Sequence, residues 1–251
     1  MLKKRLTAVL VLGIAALFWW LLTRQLDPHE RLIYPAPAGV TRVLIAHWTN
    51  ILEFAVTTWY RVLVGLFLGG LIGFATGLLM SASRTIEALL DPFIELLRPV
   101  PPIALTPFFI LWFGLGDFGQ LLLVGLGCFM VVVVSTVVAA KNIPPVLVMA
   151  ATSLGASTKG LYRGVYIPAI LPALMSAVRV AAATGFGLTV AAEYLGAQGG
   201  LGYLIRNART TLETDSILLA AAILGLESLI TDYSLRRLGR WLTRWLPRIE
   251  D

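Results

Sequence analysis

The chain reads as an all-α integral membrane protein with six transmembrane helices, on three observations. Hydrophobic residues make up 58% of its 251 residues and charged ones only 14%, far from the soluble average. The apolar residues gather into runs long enough to cross a hydrocarbon core. The Lys and Arg residues between those runs are denser on one side than on the other, the pattern that orients a membrane protein. Residues 1–251 are accordingly read as one transmembrane domain surrounded by lipid.

Lys3, Lys4 and Arg5 precede the first apolar run, 6–22, which is closed by Trp19, Trp20 and Arg24. A signal peptide begins in the same way, but no small-residue cleavage site follows, so the run is read as an uncleaved helix with its amino end in the cytoplasm. Residues 25–40 are polar and punctuated by Asp27-Pro28 and Tyr34-Pro-Ala-Pro37, as in an external loop. Between Thr41 and Tyr60 apolar residues recur at helical spacing beside Arg42, His47, Asn50 and Glu53. That segment is either an amphipathic helix along the interface or the polar-edged start of the next span. The second span, 62–80, carries no charge over 19 residues, roughly 28 Å of helix. Gly65, Gly69, Gly73 and Gly77 line one of its faces and let a neighbouring helix approach the backbone, which is read as packing within one subunit or across a dimer rather than as a pathway lining.

Residues 81–102 form a charged connector ending in Arg98-Pro-Val-Pro-Pro102, where prolines stop one helix and can start the next. A short third span over 100–113, a turn at Gly114-Leu-Gly-Asp117 and a fourth span over 118–140 follow. Lys141 opens a polar, basic loop, 141–168. The fifth span, 174–195, is rich in small residues, and an external loop from Gly196 to Asp215 includes Gly199-Gly-Leu-Gly202. The sixth span, 216–233, is followed by a tail with Arg236, Arg237, Arg240, Arg244 and Arg248.

With both termini inside, thirteen of the 20 Lys and Arg residues fall on the cytoplasmic side: three at the start, two in 81–102, three in 141–168 and five in the tail. Six lie outside (Arg24, Arg31, Arg42, Arg61, Arg206 and Arg209), and Arg179 sits near the inner end of the fifth span. The basic pI therefore reports topology, not a nucleic-acid surface. The lone Cys128 and two scattered His residues offer neither a disulfide framework nor a metal site.

Catalytic patterns are missing. Gly155-Ala-Ser-Thr-Lys-Gly160 is followed by Leu161 and Tyr162 where a nucleotide-binding loop needs lysine and a hydroxyl, and Gly199-Gly-Leu-Gly202 lacks the spacing of a dinucleotide fingerprint. No Gly-x-Ser-x-Gly, His-Glu-x-x-His or Cys-x-x-Cys occurs, so an enzyme has no constellation to stand on. Ionisable groups in or at the ends of spans are pathway candidates by default. Arg179 and Glu193, about 21 Å apart along one helix, are expected near opposite interfaces, where Arg179 can snorkel. Glu227 is deeper and needs a partner that the sequence does not identify.

Ala150-Ala-Thr-Ser-Leu-Gly155, nine residues, then Val165-Tyr-Ile-Pro168 resembles the EAA motif of the permease subunits of bacterial ATP-binding-cassette importers. Met149 stands in place of the leading acid, Val165 in place of Ile and Ile167 in place of Leu, with the spacing intact. Asp91-Pro-Phe-Ile-Glu-Leu-Leu-Arg-Pro-Val-Pro-Pro102, Trp112-Phe-Gly-Leu-Gly116, Ser153-Leu-Gly-Ala-Ser157 and Ala191-Ala-Glu-Tyr194 with Gly200-Leu-Gly-Tyr203 are similar to the nitrate, sulfonate and taurine branch of that family.

The resemblance implies a type I (MetI-like) importer permease in which a short cytoplasmic helix docks in a groove of a separate ATPase subunit. Leu154 would be the apolar anchor, Ala150 and Ala151 would give close contact and Ser153 a hydrogen bond. Gly155 would turn the chain ahead of Ala156 and Ser157, and Pro168 would end the loop. ATP and magnesium would be bound by the ATPase, with no cofactor in this chain. An external binding protein would deliver the solute, and a homodimer would present two such loops to two ATPase subunits. The solute would be a small anion such as a sulfonate, taurine or nitrate, or alternatively a thiamine-precursor pyrimidine. An ion-coupled secondary transporter is the reading from another class, disfavoured because no internal repeat is evident and intramembrane acids are few.

Overall fold

The computed structural model describes residues 2–27, 30 and 33–245. Pro28 and Arg31 of the expected external loop and Arg248 of the basic tail lie outside them. Every regular element among the described residues is helical, as lipid demands of a backbone that must satisfy its own hydrogen bonds. Helix α1 (Leu2–Arg24) contains the first expected span, and Trp19 ties its end to the following segment by donating Nε1–H to Pro35 O at 3.0 Å.

The 41–60 segment is divided. A short helix α2 (Pro37–Ala46) ends at His47, and Trp48 onward belongs to α3 (Trp48–Ala82). At 35 residues α3 is about 52 Å long, well beyond the hydrocarbon core. It packs on α6 (Asp117–Lys141) along the glycine stripe. A Cβ added at Gly65 would fall 2.6 Å from Val124 Cγ1, at Gly69 2.1 Å from the Gly125 oxygen, at Gly73 2.8 Å from the Phe129 oxygen and at Gly77 2.7 Å from Thr136 Cβ. Backbone therefore meets backbone over three successive steps of four residues, and dispersion contact substitutes for the hydrophobic drive that lipid removes. Helix α9 (Ile167–Gly196) covers another side of α6, and Leu66, Val124, Cys128, Val132, Ala181, Ala182 and Leu188 form the buried centre of the three.

Two segments expected to be a connector and a loop are largely helical, and the expected third span is short and bent. The 81–102 connector is α4 (Arg84–Leu97), capped by Ser83 Oγ, which accepts from Ile86 N–H; its apolar stripe Ile86, Leu90 and Ile94 packs on Met80, Val133 and Val137. The expected span 100–113 is a 3₁₀ turn (Pro102–Leu105) running into α5 (Thr106–Phe113), bent by 82° from α4. Pro99, Pro101 and Pro102 withhold N–H donors between the two halves, which breaks the helix there. The external loop 196–215 is mostly α10 (Leu201–Thr211), seated by buried Leu201, Gly202 and Ala208. The last helix, α11 (Thr214–Leu242), carries the sixth span and continues through the basic tail as far as Leu242.

Among the described residues, four stretches are long and apolar enough to cross a bilayer: α3, α6, Thr158–Gly196 and α11, with α4 and Pro102–Phe113 a fifth if the bent pair is one broken span. The remaining expected span, 6–22, lies in α1, of which Gly13–Arg24 is a shorter apolar helix.

Candidate functional site

At one end of the bundle the chain leaves α6, turns at Asn142 and forms α7 (Pro145–Ser153). Pro144 and Pro145 open it, where a missing N–H costs nothing. Its other end closes in a Schellman motif: Ala156 N–H donates to Ala151 O at 3.0 Å and Gly155 N–H to Thr152 O at 2.9 Å. That closure needs a positive φ after the cap, and Gly155 supplies it at +79°. Ser157 Oγ then accepts from Gly160 N–H at 3.2 Å and starts α8 (Thr158–Leu161).

The second half of the expected loop is a helix. A π turn (Tyr162–Tyr166) joins α8 to α9, with Ile167 N–H reaching back five residues to Tyr162 O. The wide turn accommodates Pro168, so Pro168 opens α9 without breaking the helix, and α9 begins at Ile167 instead of near Leu174. Val148, Val165 and Tyr166 pack on Ala140, Ile143 and Ile170, fixing the segment to α6 and α9. Its other face is open: Ala150, Ser153, Gly155 and Ser157 are exposed, Ala151 and Ala156 half-buried, and Val146 and Met149 present apolar side chains to the outside. Leu154, at the tip, is 89% exposed.

The opposite end holds a buried polar node that sequence reasoning missed. Arg61 of α3 donates from Nη1 to Glu193 Oε1 at 2.7 Å and to Gly199 O at 2.9 Å, and from Nη2 to Asp117 Oδ1 at 2.6 Å. Thr58 Oγ1 lies 3.0 and 2.9 Å from the two Glu193 oxygens and accepts from Leu201 N–H at 2.8 Å. Gly202 N–H donates to Glu193 Oε2 at 2.9 Å. Gly199-Gly-Leu-Gly202 is therefore the cradle of a carboxylate: Gly200 has φ +104°, and a Cβ on it would stand 2.3 Å from Glu193 Cδ. Glu193 is wholly buried, with both carboxylate oxygens held by donors. The signals for this were Arg61 on the edge of a charge-free run and four residues containing three glycines.

The other expected residues are placed differently. Arg179 donates from Nε to Asp232 Oδ1 at 2.7 Å, and Asp232 also binds Arg236, so Arg179 links α9 to α11. Glu227 is buried, and its Oε2 has no partner among the described residues. One turn on, Thr231 Oγ1 accepts from Trp59 Nε1 at 2.9 Å and joins α11 to α3.

Residues 65–245 match the family model described as the binding-protein-dependent transport system inner membrane component. The chain belongs to this family. Among curated members of it, the taurine transport system permease protein of Escherichia coli is 36% identical over 190 residues, 76% of this chain and 69% of that protein. A permease protein of the same organism named for aliphatic sulfonates transport is 36% identical over 245 residues, 95% of this chain and 89% of that protein. Among solved structures, an inward-facing MetNI methionine ABC transporter chain superposes with a TM-score of 0.63 at 21% identity, over 81% of this chain and 99% of that one. An amino acid ABC transporter chain gives 0.61 at 18% identity, over 81% and 97%. The fold is thus that of ABC importer permeases, and membership gives this chain the membrane-crossing part of transport.

Proposed function

We propose that this permease couples to its ATPase through the α7 tip, with Leu154 as the anchor, and imports a small organic anion of the sulfonate type. The observation that carries the coupling role is an apolar tip, Leu154 with Met149 and Val146, held out on a segment packed against α6 and joined through the Gly155 turn to the continuous helix Thr158–Gly196. A leucine exposed to that degree in the chain alone is suited to a partner's groove. Ala150 and Ala151 keep the neighbouring surface low, Ser153 points a free hydroxyl outward, and the Gly155 turn with Ala156 and Ser157 lets the chain leave the groove. The α7 end faces the cytoplasm, both termini lie there, and the membrane is the bacterial inner membrane. ATP and magnesium belong to the partner. One coupling segment per chain calls for a homodimer facing two ATPase subunits, with a binding protein on the α10 side.

The substrate class rests on the names of the two relatives at 36% identity. The experiment is Leu154→Asp in the permease coexpressed with its ATPase and binding protein. Burying a leucine contributes about 1.5–3 kcal/mol, so its loss should weaken each ATPase contact roughly 10- to 100-fold. ATP-driven uptake of an alkanesulfonate should fall accordingly while the permease remains in the membrane. Uptake and copurification equal to wild type would overturn the coupling role. A pyrimidine found in the copurified binding protein would overturn the substrate class alone.

A further inference from the structure

Pro99, Pro101 and Pro102 interrupt the chain between α4 and α5, leaving only Arg98 and Val100 with N–H groups in that stretch. Both are spent, on Ile94 O at 2.8 Å and Leu97 O at 3.0 Å. The carbonyls of Glu95 and Arg98, whose helical donors would be Pro99 and Pro102, are left without them. Irregular backbone at membrane depth persists only inside protein or against a water-filled cavity. A cavity of about 320 Å³ lies here, and Arg98, Leu105, Leu126, Met130, Ser135 and Thr184 are among its walls. Ser135 is six residues before Lys141 on α6, about 9 Å inside that end of the helix.

Among the described residues, the Arg98 side chain makes no hydrogen bond or ion pair. No carboxylate lines the cavity; Asp91, Glu95 and Lys141 line a separate hollow whose wall Arg98 shares. The Ser135 and Thr184 hydroxyls donate to Val131 O and Val180 O, at 2.7 and 3.1 Å. The guanidinium is therefore the one lining group that carries both a charge and uncommitted donors.

The geometry points to an anion station on the transport path: Arg98 takes the charged head of the solute, and Leu105, Leu126 and Met130 take its apolar chain. This deepens the proposed importer role and rests on it. Arg98 is exposed in the chain alone, so its donors are free to meet a solute. The cavity is large enough for a small organic molecule, and the planar guanidinium fork matches an oxyanion. One positive charge with no carboxylate suits a plain alkanesulfonate better than a zwitterion that also carries an ammonium group.

The test uses full-length permease carrying Met130→Cys, assembled with its ATPase in proteoliposomes. The native Cys128 is fully buried, so the unsubstituted chain is the unlabelled control. Two methanethiosulfonate reagents of similar size are compared, the 2-sulfonatoethyl reagent and its trimethylammonium counterpart. With each rate divided by that reagent's rate with a small free thiol, the introduced thiol should favour the sulfonate at least about tenfold, because a charged cleft concentrates its counter-ion. Butanesulfonate should slow that reaction, Arg98→Gln should erase the preference, and Arg98→Lys should keep most of it. Equal normalised rates, or a preference that survives Arg98→Gln, would overturn the assignment. So would protection by anionic phospholipid in place of butanesulfonate. If Arg98→Gln fails to assemble, the preference and protection in the Arg98 protein decide. ATP hydrolysis measured on the same complexes separates the two claims: labelling failure with hydrolysis intact counts against the cavity, whereas normal uptake by Leu154→Asp counts against the coupling role.

Discussion

Replacing Arg61 with leucine would separate the two arms of the buried node, which the structure values differently. Asp117 is 58% exposed in its side chain, so the Arg61–Asp117 pair is screened and contributes about 0–1 kcal/mol. Glu193 has no exposed side-chain surface, and its pair with Arg61 is 2.7 Å long. Removing the guanidinium leaves a buried carboxylate with only Thr58 and Gly202 N–H as donors, an uncompensated charge that costs about 3–5 kcal/mol. At 2–4 °C per kcal/mol for a chain of this size, the unfolding midpoint should fall by roughly 6–20 °C. Cys128 provides the assay, because it is the single cysteine and is fully buried, so a thiol-reactive dye in detergent reports the loss of the core. Asp117→Asn should move the midpoint by only a few degrees, about 1 kcal/mol or less. Arg61→Leu combined with Glu193→Gln removes the stranded charge and should recover much of the loss. Equal shifts for Arg61→Leu and Asp117→Asn, or a double variant no better than the single, would refute the claim that a buried charge pair governs this end of the bundle.

The same dye assay tests the glycines, each against a neighbour with open space. Gly69→Val, whose Cβ would fall 2.1 Å from the Gly125 oxygen, should force α3 from α6 at a cost of at least about 1–3 kcal/mol, whereas Gly70→Val, with nothing within 4 Å, should leave the midpoint unchanged. Gly200→Ala combines a φ of +104° with a Cβ 2.3 Å from Glu193 Cδ and should lower the midpoint by several degrees, while Gly199→Ala, in open space, should not. Gly155 has nothing within 4 Å either, so Gly155→Ala carries only the backbone cost of its φ of +79°, about 1–2 kcal/mol, and uptake should fall modestly. Gly155→Glu adds a charge at the proposed docking surface and should uncouple ATP hydrolysis from uptake with membrane insertion intact, measured as transport per ATP in proteoliposomes.

The parts of the fold that lipid dictates were readable from the chain. An uncharged run such as 62–80 can only be a buried or lipid-facing helix, and glycines every fourth residue within it announce a close neighbour, although nothing in them names α6. What stayed hidden depends on pairings far apart in sequence. Arg61 counts as one external charge until it is seen with Glu193, 132 residues away. Helix α10 escaped because Arg206, Asn207 and Arg209 make its stretch look like a polar loop, and its buried side is only Leu201, Gly202 and Ala208. Proline misled at one place and not at another. The cluster at 99–102 stops a helix, as the sequence indicates, and the chain bends there by 82° into Pro102–Phe113. Pro168 stops nothing, because the π turn before it absorbs the missing hydrogen bond.

Pro168 and Pro172 bear on how motion could travel through the molecule. From Thr158 to Gly196 the chain is 39 residues of continuous helix, roughly 58 Å, running from just beyond the α7 tip to the residues beside the buried node. Near its far end, Glu193 is held by donors from α3 and by the glycine turn leading to α10, so that end cannot slide without stranding a carboxylate. Near its other end lie the π turn, Pro168 and Pro172, where the regular hydrogen-bond ladder is relaxed and bending is easiest. A rod fixed at one end and compliant at the other pivots when the compliant end is pushed. A push delivered at Leu154 would thus tilt α9 against α6, whose shared contact includes Gly127 beside Leu188 and Thr184. Gly127 and Thr184 also line the cavity at the broken span. The surface that moves and the surface that would hold the anion are therefore the same one.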